Sequence, residues 1–375
     1  MSVRKPAIPG AVALLLLMFP MLQVLSQDNA PIMPLAPQAL LLDITTAGQR
    51  LVVAGEHGII LYSDDNADSW QQASVPTTQM LTGVYFVDDR LGWAVGHDGL
   101  ILVSEDGAGS WRVQRDGLSV QHQANLEVRE TAHRQIRKLE QAVAQADDEA
   151  RPDLELALED AQLDLEDAEL TLSEPVFTSP LMDVWFQDGD RGWAVGAFGT
   201  FVTTRDGGEH WISQRRKLEN PFEYHLNAIT GDGEGGVFIA GEGGVMYRSL
   251  DGGQSWESLE PFYEGSWFGV VYDAPHRALL VFGLRGNIFR STDFGTTWEA
   301  VSNESHITLA GGTASARGDV VLAGSVGTVM TSSDGGTTFR RTQMDDGLSL
   351  SSGIRHGERL ILIGQGGIKT VQESR

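Results

Sequence analysis

Short apolar runs recur along the chain, and each ends at a pair of glycines spaced three positions apart. Runs such as LVVAG, GWAVG, VFIAG and LILIG lead into a G-x-x-G, and an alternating run such as IILYS or LILVS follows it. Apolar and polar alternation over four to eight residues predicts a strand, and glycine supplies the positive φ that tight turns need. Each G-x-x-G therefore predicts a β-hairpin closed by a two-residue turn.

This hairpin pattern occurs seven times. The first glycines of the copies are Gly55, Gly96, Gly196, Gly241, Gly283, Gly324 and Gly364. A further strand precedes each hairpin, as in LLDITT, LTGVYFV and LMDVWFQ. Repeated units of about 40 residues with three or four short strands are typical of propellers. We therefore predict an all-β fold, a seven-bladed β-propeller.

Six of the copies continue into a second motif, an Asp box. Each has Ser or Thr, Asp two residues later, a small residue and a closing aromatic. The aspartates and aromatics are Asp65, Asp106, Asp206, Asp251, Asp293, Asp334, Trp70, Trp111, Trp211, Trp256, Trp298 and Phe339. Asp and Ser side chains accept backbone hydrogen bonds in turns, so we interpret the boxes as structural and expect each aromatic to pack beside the next unit. Acids spaced around a ring cannot form one active site.

Residues 118–175 interrupt the repeat between blades two and three. Ala, Leu, Glu, Gln and Arg dominate the segment, and Pro152 divides it. Seams with alternating spacings of four and three run from Ala132 to Ala146 and from Leu154 to Leu172, a coiled-coil pattern. We predict an inserted antiparallel α-helical hairpin whose second helix is strongly acidic. The sequence leaves open whether it is a docking arm or a decoration of the surface.

The two ends of the chain raise the question of how the ring closes. The last blade stops after its third strand, and residues 30–38 are the only candidate for a fourth strand. Residues 1–26 have a basic start and a short apolar core, which predicts a secretory signal peptide, with an uncleaved anchor as the alternative. We therefore divide the chain into the signal peptide, blades one and two with the closing strand (27–117), the hairpin (118–175) and blades three to seven (176–375).

Composition excludes several classes of function. The chain has no cysteine, which excludes a lipoprotein anchor, disulfides and thiolate chemistry, and an exported protein without disulfides fits the periplasm. Its net charge of −24 disfavours nucleic acid and direct binding to anionic lipids. Asp64-x-Asn66-x-Asp68 lacks the later glycine and glutamate of a calcium loop. We expect no cofactor and no metal.

Partner binding is expected on one face of the propeller. In a propeller blade the turn between the second and third strands and the connection to the next blade share a face, so the G-x-x-G turns and the helical hairpin rise from the same side. The candidate partner-binding residues on that side are His57, His97, Asp98, Phe198, Glu242 and Arg285.

The combination of GWAVG, G-x-x-G and Asp box resembles the photosystem II stability/assembly factor family of Asp-box (BNR) propellers. The resemblance covers about 40–116 and 177–372 and implies a non-enzymatic protein that helps to assemble membrane-protein complexes. Photosynthetic members present an arginine-rich patch to their client, whereas arginines such as Arg215, Arg248 and Arg290 are dispersed here. A membrane-protein complex or an exporter of the cell envelope is therefore the expected partner.

The alternative is a glycoside hydrolase, because Asp boxes also occur in sialidases. Their chemistry needs a tyrosine nucleophile and a glutamate partner, together with three arginines. The Arg-Ile-Pro motif of sialidases is absent, and no spacing selects a carboxylate pair from Glu56, Asp98 and Glu242. We therefore expect no catalytic residues.

Overall fold

The computed structural model describes residues 29–303 and 305–372, and the predicted signal peptide lies outside these residues. They form seven antiparallel sheets, numbered here in chain order, of which the first six have four strands and the last has three. Sheets one to three contain β1 (Leu41–Ala47), β2 (Arg50–Gly55), β3 (Ile60–Ser63), β4 (Gln71–Gln72), β5 (Leu81–Phe86), β6 (Gly92–Gly96), β7 (Ile101–Ser104), β8 (Arg112–Arg115), β9 (Leu181–Phe186), β10 (Gly192–Gly196), β11 (Phe201–Thr204) and β12 (Ile212–Ser213).

The strands within each sheet follow one another in space as they do in sequence. Sheets four to seven contain β13 (Leu226–Gly231), β14 (Val237–Gly241), β15 (Met246–Ser249), β16 (Glu257–Leu259), β17 (Trp267–Asp273), β18 (Ala278–Gly283), β19 (Ile288–Ser291), β20 (Glu299–Ala300), β21 (Leu309–Ala314), β22 (Val320–Gly324), β23 (Thr328–Ser332), β24 (Arg340–Gln343), β25 (Leu350–His356), β26 (Arg359–Gly364) and β27 (Gly367–Gln372).

The sheets are arranged in a ring. The first strand of each sheet contacts the first strand of the next, and β25 of sheet seven returns to β1 of sheet one. Second strands such as β6 and β10 are buried along their whole length, because they have a neighbouring strand on either side and a sheet packed against each face. The hydrophobic core is accordingly divided into clusters between neighbouring sheets. The first strands surround a central channel.

The predicted two-residue turns are wrong for the first six hairpins. A three-residue 3₁₀ turn, such as Glu56–Gly58, follows the first glycine, and its closing bond runs from the N–H of Ile59 to the carbonyl of Glu56. The middle residue of the turn lies in the left-handed region, with φ 55° at His57. Only the seventh hairpin, where Gly364 pairs with Gly367, has the predicted two-residue turn.

The closing aromatics pack in the direction opposite to the prediction. Trp256 belongs to sheet four and lies edge-on against Phe201 of sheet three, with ring centroids 5.1 Å apart. Trp298 of sheet five likewise packs on Phe238 of sheet four. The closing aromatics therefore pack into the core between their own sheet and the preceding one.

Residues 30–38 do not form the predicted closing strand. They contain a 3₁₀ turn, Ala36–Gln38, and sheet seven keeps three strands among the described residues. Ala36 is 1% exposed in the core shared by sheets one and seven. The carbonyl of Pro37 lies close against Gly367 of sheet seven, in the same way that the carbonyl of Thr77, in the connection between sheets one and two, lies close against Gly58 of sheet one. It therefore acts as the connection into sheet one, and its three prolines suit a connection better than a strand.

The ring is also closed by a side-chain contact. Arg359, at the start of β26, donates to the carbonyl oxygen of Asn66 at 2.8 Å and to the carboxylate of Asp68 at 2.7 Å in the Asp box of sheet one. Arg50 makes the equivalent bond from sheet one to the carbonyl of Gly107 in the box of sheet two. Closure therefore repeats a contact used between other neighbouring sheets.

Two helices, α1 (Gly117–Gln145) and α2 (Arg151–Ser173), lie between β8 and β9 and pack against each other. Asp116 caps α1 by accepting from the N–H of Leu118, and Pro152 lies in the first turn of α2, where it needs no N–H partner. No helix in the described part of the chain has the length and apolarity needed to cross a membrane.

Candidate partner-binding face

The turn face, defined here as the six 3₁₀ turns with the connections between sheets, is built by close backbone packing. The connection to the next sheet passes directly over the second glycine of the turn. A methyl group on Gly58 would lie 2.0 Å from the carbonyl oxygen of Thr77, and one on Gly244 would lie 2.0 Å from that of Tyr263. Glycine is therefore required by close approach as well as by its positive φ. The turns hold their middle residues out towards solvent.

The six predicted binding residues all lie on these turns but differ in exposure. His57, His97, Phe198 and Arg285 are exposed, whereas Asp98 and Glu242 are half-buried. The carboxylate of Glu242 accepts from the N–H of His225 at 3.1 Å and so fixes the connection into sheet four. Glu242 consequently has a structural role that the sequence pattern does not reveal. The six residues belong to five different sheets and do not converge on one point.

Outside the helical hairpin, most of the exposed large apolar side chains lie on the turn face. Phe198 stacks edge-on against His225, and Phe222 lies beside Tyr224 in the connection from sheet three to sheet four. Other exposed apolar residues on this face are Ile32, Leu35, Phe177, Val326 and Leu348. On the Asp-box turns the exposed large apolar residue is Leu250. Sequence reasoning missed the aromatics in the connections, although such residues between strands were a usable signal.

The channel opens on the turn face as a cavity of about 600 Å³. The second residues of the first strands line it, and Thr82, Asn227 and Phe268 give it mixed polar and apolar walls. Its mouth also includes His225, next to the aromatic cluster. Concave sites with a few polar groups suit peptide or small-molecule ligands.

Two aspartates stand on the channel wall. Asp43 accepts from the N–H of Val84 at 2.9 Å, and Asp183 accepts from that of Ile229 at 2.8 Å, so each ties its own sheet to the next. Burial raises the pKa of Asp43 to about 6. Burial, followed by the nearby charge of Asp43, raises the pKa of Asp183 to about 7. Sequence reasoning missed both, because nothing local marks them as facing a channel.

The Asp-box turns have the hydrogen bonding of a structural motif. Asp251 accepts from Ser249 Oγ at 2.7 Å and from Ser255 Oγ at 2.6 Å, and Ser249 Oγ accepts from the N–H of Gly253. The bonds from Ser255 hold the pKa of Asp251 at about 2. Equivalent bonds recur in the other five boxes.

Candidate cation ligands on the box turns have other partners. Asp64 is bonded to Arg50 and Asp68 to Arg359, so the calcium-like cluster is part of the contacts between sheets. Asp206, Glu209 and His210 place three potential ligand atoms within 4.8 Å of one another, but all three are exposed and His210 is bonded to Asp206. These geometries give structural explanations for both clusters.

The dispersed arginines also have structural partners. Arg248 bonds Glu257 and the carbonyl of Phe294, and Arg290 donates to the carbonyl of Gly335 in the next sheet. Arg215 pairs with Glu223 in the connection to sheet four. These side chains hold sheets and connections together and do not converge on one binding patch.

Comparison with known proteins places the chain among propeller proteins. The family model described as Photosynthesis system II assembly factor YCF48 matches residues 62–134 and 167–321. The photosystem II assembly lipoprotein Ycf48 of Synechococcus sp. (strain CC9902) is 31% identical over 121 residues, which is 32% of this chain and 36% of that protein. The chain thus aligns with little more than a third of that relative.

Solved structures extend the likeness to the whole ring. The structure described as YCF48 bound to D1 peptide has a TM-score of 0.59 at 15% identity, covering 90% of this chain and 94% of its own. YCF48 from Cyanidioschyzon merolae has a TM-score of 0.57 at 14% identity, covering 92% and 97%. The WD40 propeller domain of Doa1 reaches 0.58 at 12% identity, covering 92% and 96%. The predicted mostly-β propeller architecture is confirmed.

Proposed function

The chain belongs to the YCF48 family of photosynthesis system II assembly factors, and from this premise we propose that it holds a segment of a membrane-protein partner on its turn face. The family and the YCF48 relatives are assembly proteins, so the prediction that the chain is not an enzyme is confirmed and the glycoside hydrolase alternative is set aside. The family resemblance inferred from the repeat is confirmed as well.

The unequal distribution of exposed apolar side chains between the turn face and the Asp-box face is the observation that supports this proposal. A partner that buried Phe198, Phe222 and Phe177 would remove large aromatic surfaces from water, and such residues dominate the energetics of protein interfaces. The Asp-box turns offer Leu250, and Ile212 follows one of them at the start of β12; the turns are otherwise polar. The neighbouring channel mouth can accept a side chain or a chain terminus. A solved YCF48 is described as bound to D1 peptide, and this supports a peptide segment as the form of ligand.

In this proposal the molecule is a seven-bladed propeller, 27–117 and 176–375, with the helical hairpin 118–175 inserted between blades two and three. The hairpin rises beside the turn His97–Gly99, on the turn face. The connection from the hairpin to β9 passes close to Gly99 at Thr178, just as the other connections between sheets pass close to the second glycine of a turn. Partner and hairpin would therefore be in contact. The partner class is a membrane-protein complex, with export machinery of the envelope as the second candidate, met after export to the periplasm.

The test compares recovery of partners from membrane extracts by the intact chain and by a form in which 119–174 is replaced with a short glycine linker. The excised form should keep its cooperative melting, because the hairpin adds no strand to any sheet. Partner recovery should fall about tenfold or more, since contacts at the hairpin and the turn face act together. Equal recovery of the same partners by both forms would show that the hairpin plays no part.

Point variants test the face separately from the hairpin. Phe222→Ser and Phe177→Ser remove exposed aromatics from the turn face, and each should weaken partner binding about tenfold. Leu250→Ser is the matched control on the Asp-box face, where an equally exposed apolar residue is lost without effect on binding. A stronger loss of binding in Leu250→Ser than in the phenylalanine variants would place the binding site on the Asp-box face and contradict the proposal.

A further inference from the structure

Helix α2 carries a row of exposed leucines that the hairpin does not use. Leu156, Leu163 and Leu170 are 60%, 56% and 60% exposed. They are spaced by seven residues, so in a helix of 3.6 residues per turn they drift only about 20° per repeat. They form one leucine stripe of about 21 Å, at 1.5 Å per residue.

The leucine stripe is separate from the seam that holds the hairpin together. Ala161 and Ala168 are buried against α1, and Leu158 and Leu165 beside them are half-buried. The leucines of the stripe occupy the heptad position opposite this seam. Helix α2 is therefore apolar on two faces, one covered by α1 and one open to solvent. A helix with two apolar faces is usual in a bundle of three or more helices, where each face packs on a different neighbour.

Charge indicates what can cover the stripe. Acids border it on both sides, among them Glu159, Asp160, Glu166 and Asp167, and α2 has no basic residue after Arg151. None of these four carboxylates forms an ion pair within the described part of the chain. A second copy of α2 would bring like charges together, and an anionic lipid surface would be repelled. A cationic surface is favoured.

We propose that the leucine stripe docks a basic amphipathic helix of the partner, with apolar residues at seven-residue spacing and Lys or Arg on both flanks. The apolar residues would cover the leucines as a third helix of a bundle, and the basic flanks would meet the acids. The shared period sets the register of the two helices, and the opposite charges add attraction. This inference deepens the proposed docking role of the hairpin and rests on it.

The probe is a synthetic basic helical peptide with leucines at heptad spacing, titrated into the purified full chain while fluorescence anisotropy is recorded. The matched peptide has the same composition with its leucines moved off that spacing. We expect the first peptide to bind about tenfold more tightly or better, because only its leucines can meet the stripe together. Equal affinity of the two peptides would mean that charge alone attracts them, and the proposal would fail.

Variants of the chain locate the binding. The triple variant Leu156→Gln, Leu163→Gln and Leu170→Gln keeps good helix formers at exposed positions and should fold. It should lose about tenfold or more in affinity for the heptad peptide. The control is Val120→Gln with Val128→Gln, which removes exposed apolar side chains from α1 and should leave affinity unchanged.

Two results would overturn the inference. The first is unchanged peptide affinity in the triple leucine variant. The second is a dimer, detected by sedimentation, that the same variant dissociates, because the stripe would then be covered by a second copy. Partner recovery through the turn face is measured with the phenylalanine variants, so the proposed function can survive the failure of the stripe, and the reverse also holds.

Discussion

At the scale of single residues, the turn face holds side chains in a backbone conformation that most of them avoid. The middle residues of the 3₁₀ turns have φ near 55°, including Phe198 and Val326. Sheet four has Gly243 at the same position, the residue that takes this conformation most easily. A β-branched residue with positive φ is a genuine outlier. The turn geometry of the repeat therefore imposes the left-handed backbone conformation, and the side chains of residues such as Val326 are accommodated at a cost.

Val326 provides a direct measure of this strain. The left-handed conformation costs a non-glycine residue about 1–2 kcal/mol, and glycine loses about 0.5–1 kcal/mol more backbone entropy on folding. Val326→Gly should therefore raise the free energy of unfolding by roughly 0.5–1 kcal/mol in urea denaturation. Leu348→Gly, an exposed position on the same face without positive φ, is the control and should lower it. A loss of stability in Val326→Gly would show that the valine side chain contributes favourable contacts.

At the scale of elements, the N-terminal segment connects the ring without adding a strand. The N–H of Ala30 donates to the carbonyl of Val75, and the N–H of Met33 donates to the side chain of Gln72, so the segment is anchored to sheet one. Ala36 then enters the core between sheets one and seven. The segment thus covers the junction where the chain ends meet.

Removing this segment should weaken the whole ring. A chain that begins at Leu40 loses the buried Ala36 and its anchoring hydrogen bonds, and its free energy of unfolding should fall by about 2 kcal/mol or more. Ile32→Ser, in the same segment but 71% exposed, should leave the melting temperature unchanged. An unchanged melting temperature in the truncated chain would mean that the core of sheets one and seven and the Arg359 contact close the ring without it.

At the scale of the whole molecule, two classes of carboxylate respond to pH in opposite directions. The channel pair, Asp43 and Asp183, has pKa values raised to about 6 and 7, so its stabilising contribution is complete below pH 4 and is lost as pH rises through 6 to 7. Box aspartates such as Asp65 and Asp251 have pKa values of about 2, so their contribution is present above pH 4 and is lost as pH falls towards 2.

Stability should therefore be greatest near pH 4 to 5. The free energy of unfolding should fall by roughly 2 kcal/mol from pH 5 to pH 8 because of the channel pair, less than the full shifts imply, since both carboxylates are only half-buried in the open channel. Urea denaturation across this range measures it. The double variant Asp43→Asn with Asp183→Asn should show a flatter profile. The other acids of the chain, whose net charge is −24, titrate in the wild type and in the double variant alike, so their effect on stability does not distinguish the two profiles. An identical slope in both would remove the channel pair as its cause.

The sequence by itself determined the features that arise within a few residues of chain. Hairpins, Asp-box turns and the two helices follow from alternation, glycine conformation, Asp and Ser hydrogen bonding and helix propensity, all of which act over about ten residues. The prediction that the six boxes are structural rested on this chemistry. The seam of the helical hairpin could be read for the same reason, because a heptad pattern places its apolar residues on one face.

Only the tertiary structure decided which repeat meets which. Trp256 packs on the preceding sheet, residues 30–38 serve as a connection, and the charge of Asp43 acts on Asp183, because the geometry of the closed ring brings these distant segments together. The leucine stripe of α2 was equally hidden. An apolar residue in the sequence becomes a candidate contact surface only when the fold leaves it uncovered, and burial is a property of the assembled molecule.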